Sequence, residues 1–142
     1  DPKEFYSKGW DPSNRPVRRA MHFFAENERV PKMRDALKSG DGETYMRLMN
    51  ESGRSSEQLL TNITTSASGD TKLEQGLELS ARLLNGKGAW RVHGGGFAGT
   101  ALAFVPDDRR EMFRRTVEQT LGTDKCRLLS VRNPLAHSGR YC

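Results

Sequence analysis

Apolar residues recur at helical spacing through the first half of the chain, with polar residues between them. The first stripe starts behind Pro16, which suits the opening turn of a helix, and continues to Gly40. Pro31 lies inside this stripe, and we expect it to kink or end the helix. The small polar stretch 64–70 predicts a loop. Later stripes predict three more helices, which begin near Asp41, after Ser55 and at residue 71, the last one covering 71–84.

The second half of the chain changes to patterns typical of strands. Residues 89–92 are a short strand candidate, and residues 100–105, with the sequence TALAFV, are an apolar run of strand length. Residues 107–121 are amphipathic and predict a helix, and residues 126–131 predict a last strand. These patterns predict an α+β fold, with helices packed on one face of a small, largely antiparallel sheet.

The composition is that of one polar globular domain. The chain has 142 residues, of which 35% are hydrophobic, and its mean hydropathy is −0.75. The periodic apolar stripes nevertheless argue against general disorder. No apolar run approaches the roughly 20 residues that a membrane span needs, and no basic-then-apolar leader indicates secretion. Because residue 1 is Asp and not Met, we expect a piece of a longer protein.

Charge and cysteine content narrow the possible partners, metal sites and cellular location of the protein. The net charge is +5, from 23 basic and 18 acidic residues, but the two signs are mixed and no aromatic residues interleave a basic run. We therefore expect a solvated surface and no nucleic-acid partner. Two cysteines are too few for a disulfide framework, and no histidine lies near them at zinc-site spacing. A reducing cytoplasm is the default location, so sequons at Asn50 and Asn62 carry no weight.

One segment carries a chemical signal, the stretch RVHGGGFAGT at residues 91–100. It contains four glycines within six residues, which permit positive φ angles and an anion-binding concavity of amide groups. The spacing also fits the dinucleotide fingerprint G-x-G-x-x-G, but that motif must open a helix, and here a strand is predicted next. We therefore predict a strand, a glycine turn and a second strand. A purely structural turn packed on a helix is the alternative.

Residues 88–100, with the sequence GAWRVHGGGFAGT and a following apolar strand, resemble the third conserved motif of the GHMP kinases, particularly the galactokinases. Two upstream segments agree. Arg18-Arg19-Ala20 leading to His22 and to ENERV at 26–30 resembles the helix that opens the galactokinase C-terminal domain. Gly40-Asp41 followed by LMNES at 48–52 resembles the "GD … LMNESH" segment of that family, with Gly53 in place of His. The resemblance runs from about residue 18 to residue 131.

The resemblance implies a ferredoxin-like GHMP kinase C-terminal domain over residues 15–142, behind a lead segment at 1–14. The N-terminal domain that holds ATP and the substrate would be absent from this chain. The intact enzyme would use ATP and Mg²⁺ to phosphorylate galactose to galactose 1-phosphate in the cytoplasm. Six residues would border the nucleotide and substrate cleft and the transferred phosphate, namely Gly94, Gly95, Gly96, Phe97, Ala98 and Gly99.

Four further residues would support this cleft. Asn50, Glu51 and Ser52 would lie on a helix near the glycine loop, with a cap or a helix–helix contact as the alternative, and His93 would flank the loop in a structural role. The acid–base pair that handles the sugar hydroxyl in galactokinases is missing, so no catalytic residue is assigned and the chain by itself is expected to be inactive.

Two features depart from the usual galactokinase sequence, namely Pro31 and the sequence of residues 55–70. Three alternative functions therefore stay open. The first is a GHMP kinase with another small-molecule acceptor, and the second is a non-catalytic binding or regulatory module of the same fold. The third, a Rossmann-type cofactor binder, requires a helix at 100–105.

Overall fold

The computed structural model describes residue 11 and residues 13–63, 69–97 and 99–130. Most of the predicted lead segment 1–14, most of the predicted loop 64–70, and Ala98 lie outside the described residues. Within them, helices pack against a two-stranded antiparallel sheet, which confirms the α+β class. The elements in chain order are α1 (Arg15–Ser39), α2 (Gly42–Ser55), a π-helical turn (Ser56–Leu60), α3 (Lys72–Leu84), β1 (Ala89–His93), β2 (Thr100–Phe104), a 3₁₀ turn (Asp107–Arg109) and α4 (Arg110–Leu121).

Helix α1 continues through Pro31, so of the two predicted outcomes, a kink or an end of the helix, the end is wrong. A proline inside a helix removes one hydrogen bond, here the bond to the carbonyl of Asn27. Both residues are exposed, so water can solvate that carbonyl, and packing of the opposite side of α1 on α2 holds the helix together. The helix ends at Gly40, whose φ of 72° lets its amide reach the carbonyls of Ala36 and Leu37.

Asp41 caps the start of helix α2, because its carboxylate accepts a hydrogen bond of 2.9 Å from the Thr44 amide. The separate helix predicted after Ser55 does not exist, because the chain stays helical through Ser56 and widens into the π-helical turn. No breaking residue separates the two stretches, so nothing ends α2 at that point. The turn stops at Thr61, which has a left-handed φ of 50°.

The two strands form a hairpin in which Ala89 pairs with Phe104 and His93 pairs with Thr100. One apolar core lies between α3, α4 and the hairpin, and it is built from Leu79, Leu84, Phe113 and Val117 with Trp90 packed against it. A second cluster joins Ile63, Leu73 and Val92. The guanidinium of Arg109 donates to the carbonyls of Leu83 and Leu84, which satisfies the end of α3.

The last predicted strand is wrong over residues 126–130, which have no regular structure; residue 131 lies outside the described residues. Leu128 and Leu129 are each 73% exposed. A strand requires a hydrogen-bonded neighbour, and within the described part of the chain β1 and β2 pair only with each other. Cys126 packs against the first core, as its apolar context predicted. No helix among the described residues is long and apolar enough to cross a membrane.

Candidate functional site

The glycine loop, residues 94–99, joins β1 to β2 at the end of the hairpin. The predicted order of strand, glycine turn and strand is therefore confirmed. The strand at Thr100–Phe104 excludes the dinucleotide fingerprint, because no helix follows the glycines to receive a pyrophosphate. Three of the described loop residues have left-handed backbone angles, with φ of 68° at Gly94, 81° at Gly96 and 54° at Phe97.

The loop rests on Asn62, a residue 3% exposed that follows the π-helical turn. The Asn62 carbonyl oxygen accepts a hydrogen bond of 2.6 Å from the Phe97 amide. Its side-chain Nδ2 donates to the Gly95 carbonyl at 3.2 Å. A Cβ at Gly96 would overlap the Asn62 carbonyl oxygen, so only glycine fits between these two bonds. One side of the loop is thus fixed to the body of the domain.

The other side of the loop is open, and we call it the open side. Among the described residues, and apart from its chain neighbours, a Cβ added to Gly94 or Gly95 would meet no atom within 4 Å. The Phe97 side chain is 53% exposed although its left-handed backbone costs a bulky residue about 1–2 kcal/mol. Backbone strain of this kind is often found at binding sites. The Gly99 amide donates back to the Gly96 carbonyl at 3.2 Å and closes the turn.

Asn50 contacts β1 and does not reach the loop. Its Nδ2 donates to the Gly88 carbonyl at 3.1 Å, and its Oδ1 accepts from the Trp90 amide at 2.9 Å. One side-chain amide therefore occupies the place of a neighbouring strand along the edge of β1 that faces away from β2. Helix α2 approaches closely here because residue 53 is glycine, since a Cβ would lie 3.0 Å from the Trp90 carbonyl oxygen and 3.0 Å from Arg91 Cβ.

Ser52 links both helices to β1 and has no exposed surface. Its hydroxyl donates to Glu26 on α1 at 2.7 Å and accepts from the Arg91 guanidinium at 2.6 Å. Glu26 also pairs with Arg29. The predicted alternative of a helix–helix contact thus describes Ser52 in part, and its second bond anchors β1 behind the loop.

Glu51 and His93 take no part in the hydrogen bonds that Asn50 and Ser52 make to β1. Glu51 forms an ion pair of 2.6 Å with Arg47 on α2 and lies 4.0 Å from Arg29. His93 is the last residue of β1, where it pairs in register with Thr100 and is exposed. The structure therefore brings Asn50 and Ser52 together with β1, leaves Glu51 on the helix surface, and places His93 beside the loop.

Positive charges gather behind β1. Burial lowers the pKa of the Arg91 guanidinium. Burial, with a smaller effect from Arg91, also lowers the pKa of Arg29, and Glu51 opposes this shift. His22 hydrogen-bonds Ser55 at 2.9 Å, and burial followed by the charges of Arg29 and Arg91 lowers its pKa. A lowered pKa keeps the imidazole neutral at neutral pH.

The curated relatives of the chain are sugar kinases. The galactokinase of Streptococcus thermophilus is 36% identical over 105 residues, which cover 72% of this chain and 25% of that protein. The galactokinase of Limosilactobacillus reuteri (strain DSM 20016) is 39% identical over 111 residues, or 71% of this chain and 24% of that protein. The chain is homologous to the galactokinases. The resemblance of its motifs to this family is therefore confirmed.

The match covers only part of each relative. The chain spans about a quarter of the length of the galactokinases that it matches. A galacturonokinase of Arabidopsis thaliana is similar too, at 38% identity over 97 residues, or 67% of this chain and 21% of that protein. No protein-family model matches the chain.

Sequence reasoning missed the residue that holds the loop of this galactokinase-like domain. Asn62 is noticed in the sequence only as a glycosylation sequon, yet it is buried and hydrogen-bonded to the loop. Its partner Ser56, whose hydroxyl lies 3.2 Å from Asn62 Oδ1, was also missed. Neither residue stands in a periodic stripe or a family motif, so no signal in a single sequence points to them.

Proposed function

We propose that this chain is the C-terminal domain, over residues 15–142, of a galactokinase that transfers the γ-phosphoryl group of ATP to the anomeric hydroxyl of galactose. The open side of the glycine loop would face the cleft in which this transfer occurs. One observation carries the proposal. The loop is hydrogen-bonded to Asn62 on one side, and on the other side a Cβ added to Gly94 or Gly95 would meet no atom of the described residues within 4 Å. Homology to galactokinases gives this geometry its chemical context.

The loop suits phosphate better than it suits a metal ion. No described residue accepts a hydrogen bond from the amides of Gly95 and Gly96, and such free N–H groups are donors for phosphate oxygens. Phosphoryl transfer relies mainly on positioning and on stabilisation of charge, which fixed donors can supply. ATP would bring the phosphoryl group when bound. Among the described residues no group of three or more His, Cys, Asp or Glu could hold a metal ion.

The first experiment uses the intact protein, by which we mean the longest natural protein that contains this chain. Gly95→Ala adds a methyl group on the open side, where the domain itself leaves room. If the cleft is there, we expect kcat/KM for ATP to fall at least about tenfold, because a small displacement near transferred phosphate has effects of this size. The melting temperature should not change.

Gly42→Ala is the matched control, because a Cβ there also meets nothing within 4 Å and Gly42 lies at the start of α2. Its kcat/KM should equal that of the unmodified protein. Equal activity of both variants would place the cleft elsewhere. Product analysis with galactose and galacturonate separates the two acceptors that the relatives suggest, and we expect galactose 1-phosphate. The 142-residue chain by itself should form no product.

A further inference from the structure

Asn62 connects the glycine loop to the chain just after the π-helical turn. Its side chain and its backbone both face the loop, and it is 3% exposed. The orientation of its amide follows from its neighbours, because the Gly95 carbonyl can only accept a hydrogen bond. The group that faces it must therefore be Nδ2, at 3.2 Å. Oδ1 then accepts from the Ser56 hydroxyl at 3.2 Å, and Ser56 is itself buried.

These bonds fix the direction of two successive peptide groups in the loop. In a trans peptide the carbonyl and the following N–H point in opposite directions, and the described peptides are all trans. The Gly95 carbonyl points to Asn62, so the N–H of Gly96 points away from Asn62. The N–H of Phe97 also points to Asn62, at 2.6 Å, so the Gly96 carbonyl turns away and accepts from Gly99.

We propose that Asn62 is a positioning residue that holds the Gly95–Gly96 peptide so that the Gly96 N–H donates to a phosphate oxygen on the open side. The phosphate chemistry of the ligand rests on the proposed function, whereas the direction of the peptide rests on the hydrogen bonds alone. Without the Nδ2 donor, this peptide loses the bond that sets its direction. Glycine has no Cβ to restrict the peptide, so the N–H would then sample other directions.

The decisive variant is Asn62→Asp in the intact protein, which keeps the size of the side chain and the backbone carbonyl that binds Phe97. At pH 8 an ionised carboxylate cannot donate to Gly95, and we expect kcat to fall roughly 10- to 100-fold, as for other residues that orient a functional group. At lower pH the protonated carboxyl regains a donor and an acceptor in the places of Nδ2 and Oδ1. The ratio of variant to unmodified kcat should therefore rise as the pH falls from 8 to 6.

Asn27→Asp is the matched control, because it makes the same chemical change at an exposed position of α1, and its ratio should stay near one at each pH. A ratio for Asn62→Asp that stays near one, or a loss that does not depend on pH, would overturn the positioning role. If Asn62→Asp fails to fold, Ser56→Ala replaces it. That variant removes only the hydroxyl facing Oδ1, and the proposal then requires a smaller loss of kcat with an unchanged melting temperature.

A second measurement separates this proposal from the proposed function. With selective ¹⁵N-glycine labelling of the intact protein, the Gly96 amide should shift on titration with inorganic phosphate, and this response should be lost in Asn62→Asp at pH 8. That result without any sugar kinase activity would uphold the positioning role and refute the galactokinase assignment. A Gly96 amide that ignores phosphate in the unmodified protein would refute the positioning role even if the protein phosphorylates galactose.

Discussion

Two asparagines hold the hairpin by the same chemical means at opposite ends of β1. Asn50 bridges the Gly88 carbonyl and the Trp90 amide with its side chain. Asn62 bridges the Gly95 carbonyl and the Phe97 amide, using its side chain for the first and its backbone for the second. In both cases the two bridged groups are two residues apart, which is the spacing that a neighbouring strand would satisfy.

The difference between the two bridges lies in what surrounds them. At Asn50 the strand is covered by α2, and Gly88 and Trp90 are partly buried. At Asn62 the bridged loop is open on its far side, and Gly95 is exposed. The first bridge therefore contributes mainly stability, whereas the second mainly restricts the directions of the loop peptides.

Removal of each side chain tests this difference, and it carries the largest expected effect. Asn50→Ala leaves a carbonyl and an amide without partners in a covered site, and we expect the free energy of unfolding to fall by about 3 kcal/mol. Asn62→Ala keeps the backbone bond to Phe97. It removes the partner of the Gly95 carbonyl, which belongs to an exposed residue, and of the Ser56 hydroxyl, which can rotate, so we expect a smaller loss of about 1–2 kcal/mol. Urea unfolding measures both values.

Asn27→Ala, at an exposed position of α1, serves as the reference and should change stability by less than about 0.5 kcal/mol. Equal losses for Asn50→Ala and Asn62→Ala would show that the two bridges contribute equally to stability, which would contradict the difference proposed between them.

The close approach of α2 to β1 gives a prediction of intermediate size. Gly53→Ala introduces a Cβ 3.0 Å from the Trp90 carbonyl oxygen, and overpacking of this kind costs about 1–3 kcal/mol. Gly76→Ala is the matched control inside α3, because its Cβ would lie 3.4 Å from the Leu121 side chain, an ordinary contact. Both variants gain up to about 1 kcal/mol of helix propensity, so the difference between their thermal unfolding free energies isolates the contact with β1. A Gly53→Ala protein as stable as Gly76→Ala would contradict this packing.

The smallest predicted effect concerns pH. The pKa of His22 is lower in the folded chain than in the unfolded chain, first because of burial and then because of Arg29 and Arg91. As the pH falls, the unfolded state therefore takes up the proton first. The free energy of unfolding then decreases as the pH falls through about 6.5 and below. The loss cannot exceed about 1.4 kcal/mol per pH unit for one proton. Urea unfolding at pH 7.5 and 5.5 should show a smaller pH dependence in His22→Gln, and an identical dependence in both proteins would exclude this histidine as the cause.

The elements that depend on residues close together in the sequence were predicted well. Apolar spacing was enough for α3 and α4, and the glycines between two apolar runs were enough for the hairpin. The last strand was predicted wrongly because strand formation depends on a partner that may be far along the chain, and Leu128 has none among the described residues. The π-helical turn was missed because its sequence differs in no simple way from that of an α-helix.

The candidate site shows the same limit. The position and the strand–turn–strand character of the glycine loop follow from its local sequence. The Ser52 hydroxyl, by contrast, joins Glu26 and Arg91, which are 26 and 39 residues away. Asn62 reaches Gly95 across 33 residues. A single polar side chain whose partner is far along the chain produces no periodic pattern in the sequence. The glycine loop could therefore be predicted, but the side chains that hold it in place could not.

The bridge at Asn50 also decides how the sheet can grow. Because that side chain and α2 close the outer edge of β1, a further strand can add only along β2, whose outer edge is unpaired in the described part of the chain. A fibre built by edge-to-edge stacking needs two open edges on every copy. If two copies pair through β2, that pairing uses the remaining edge of each, and the assembly stops at two.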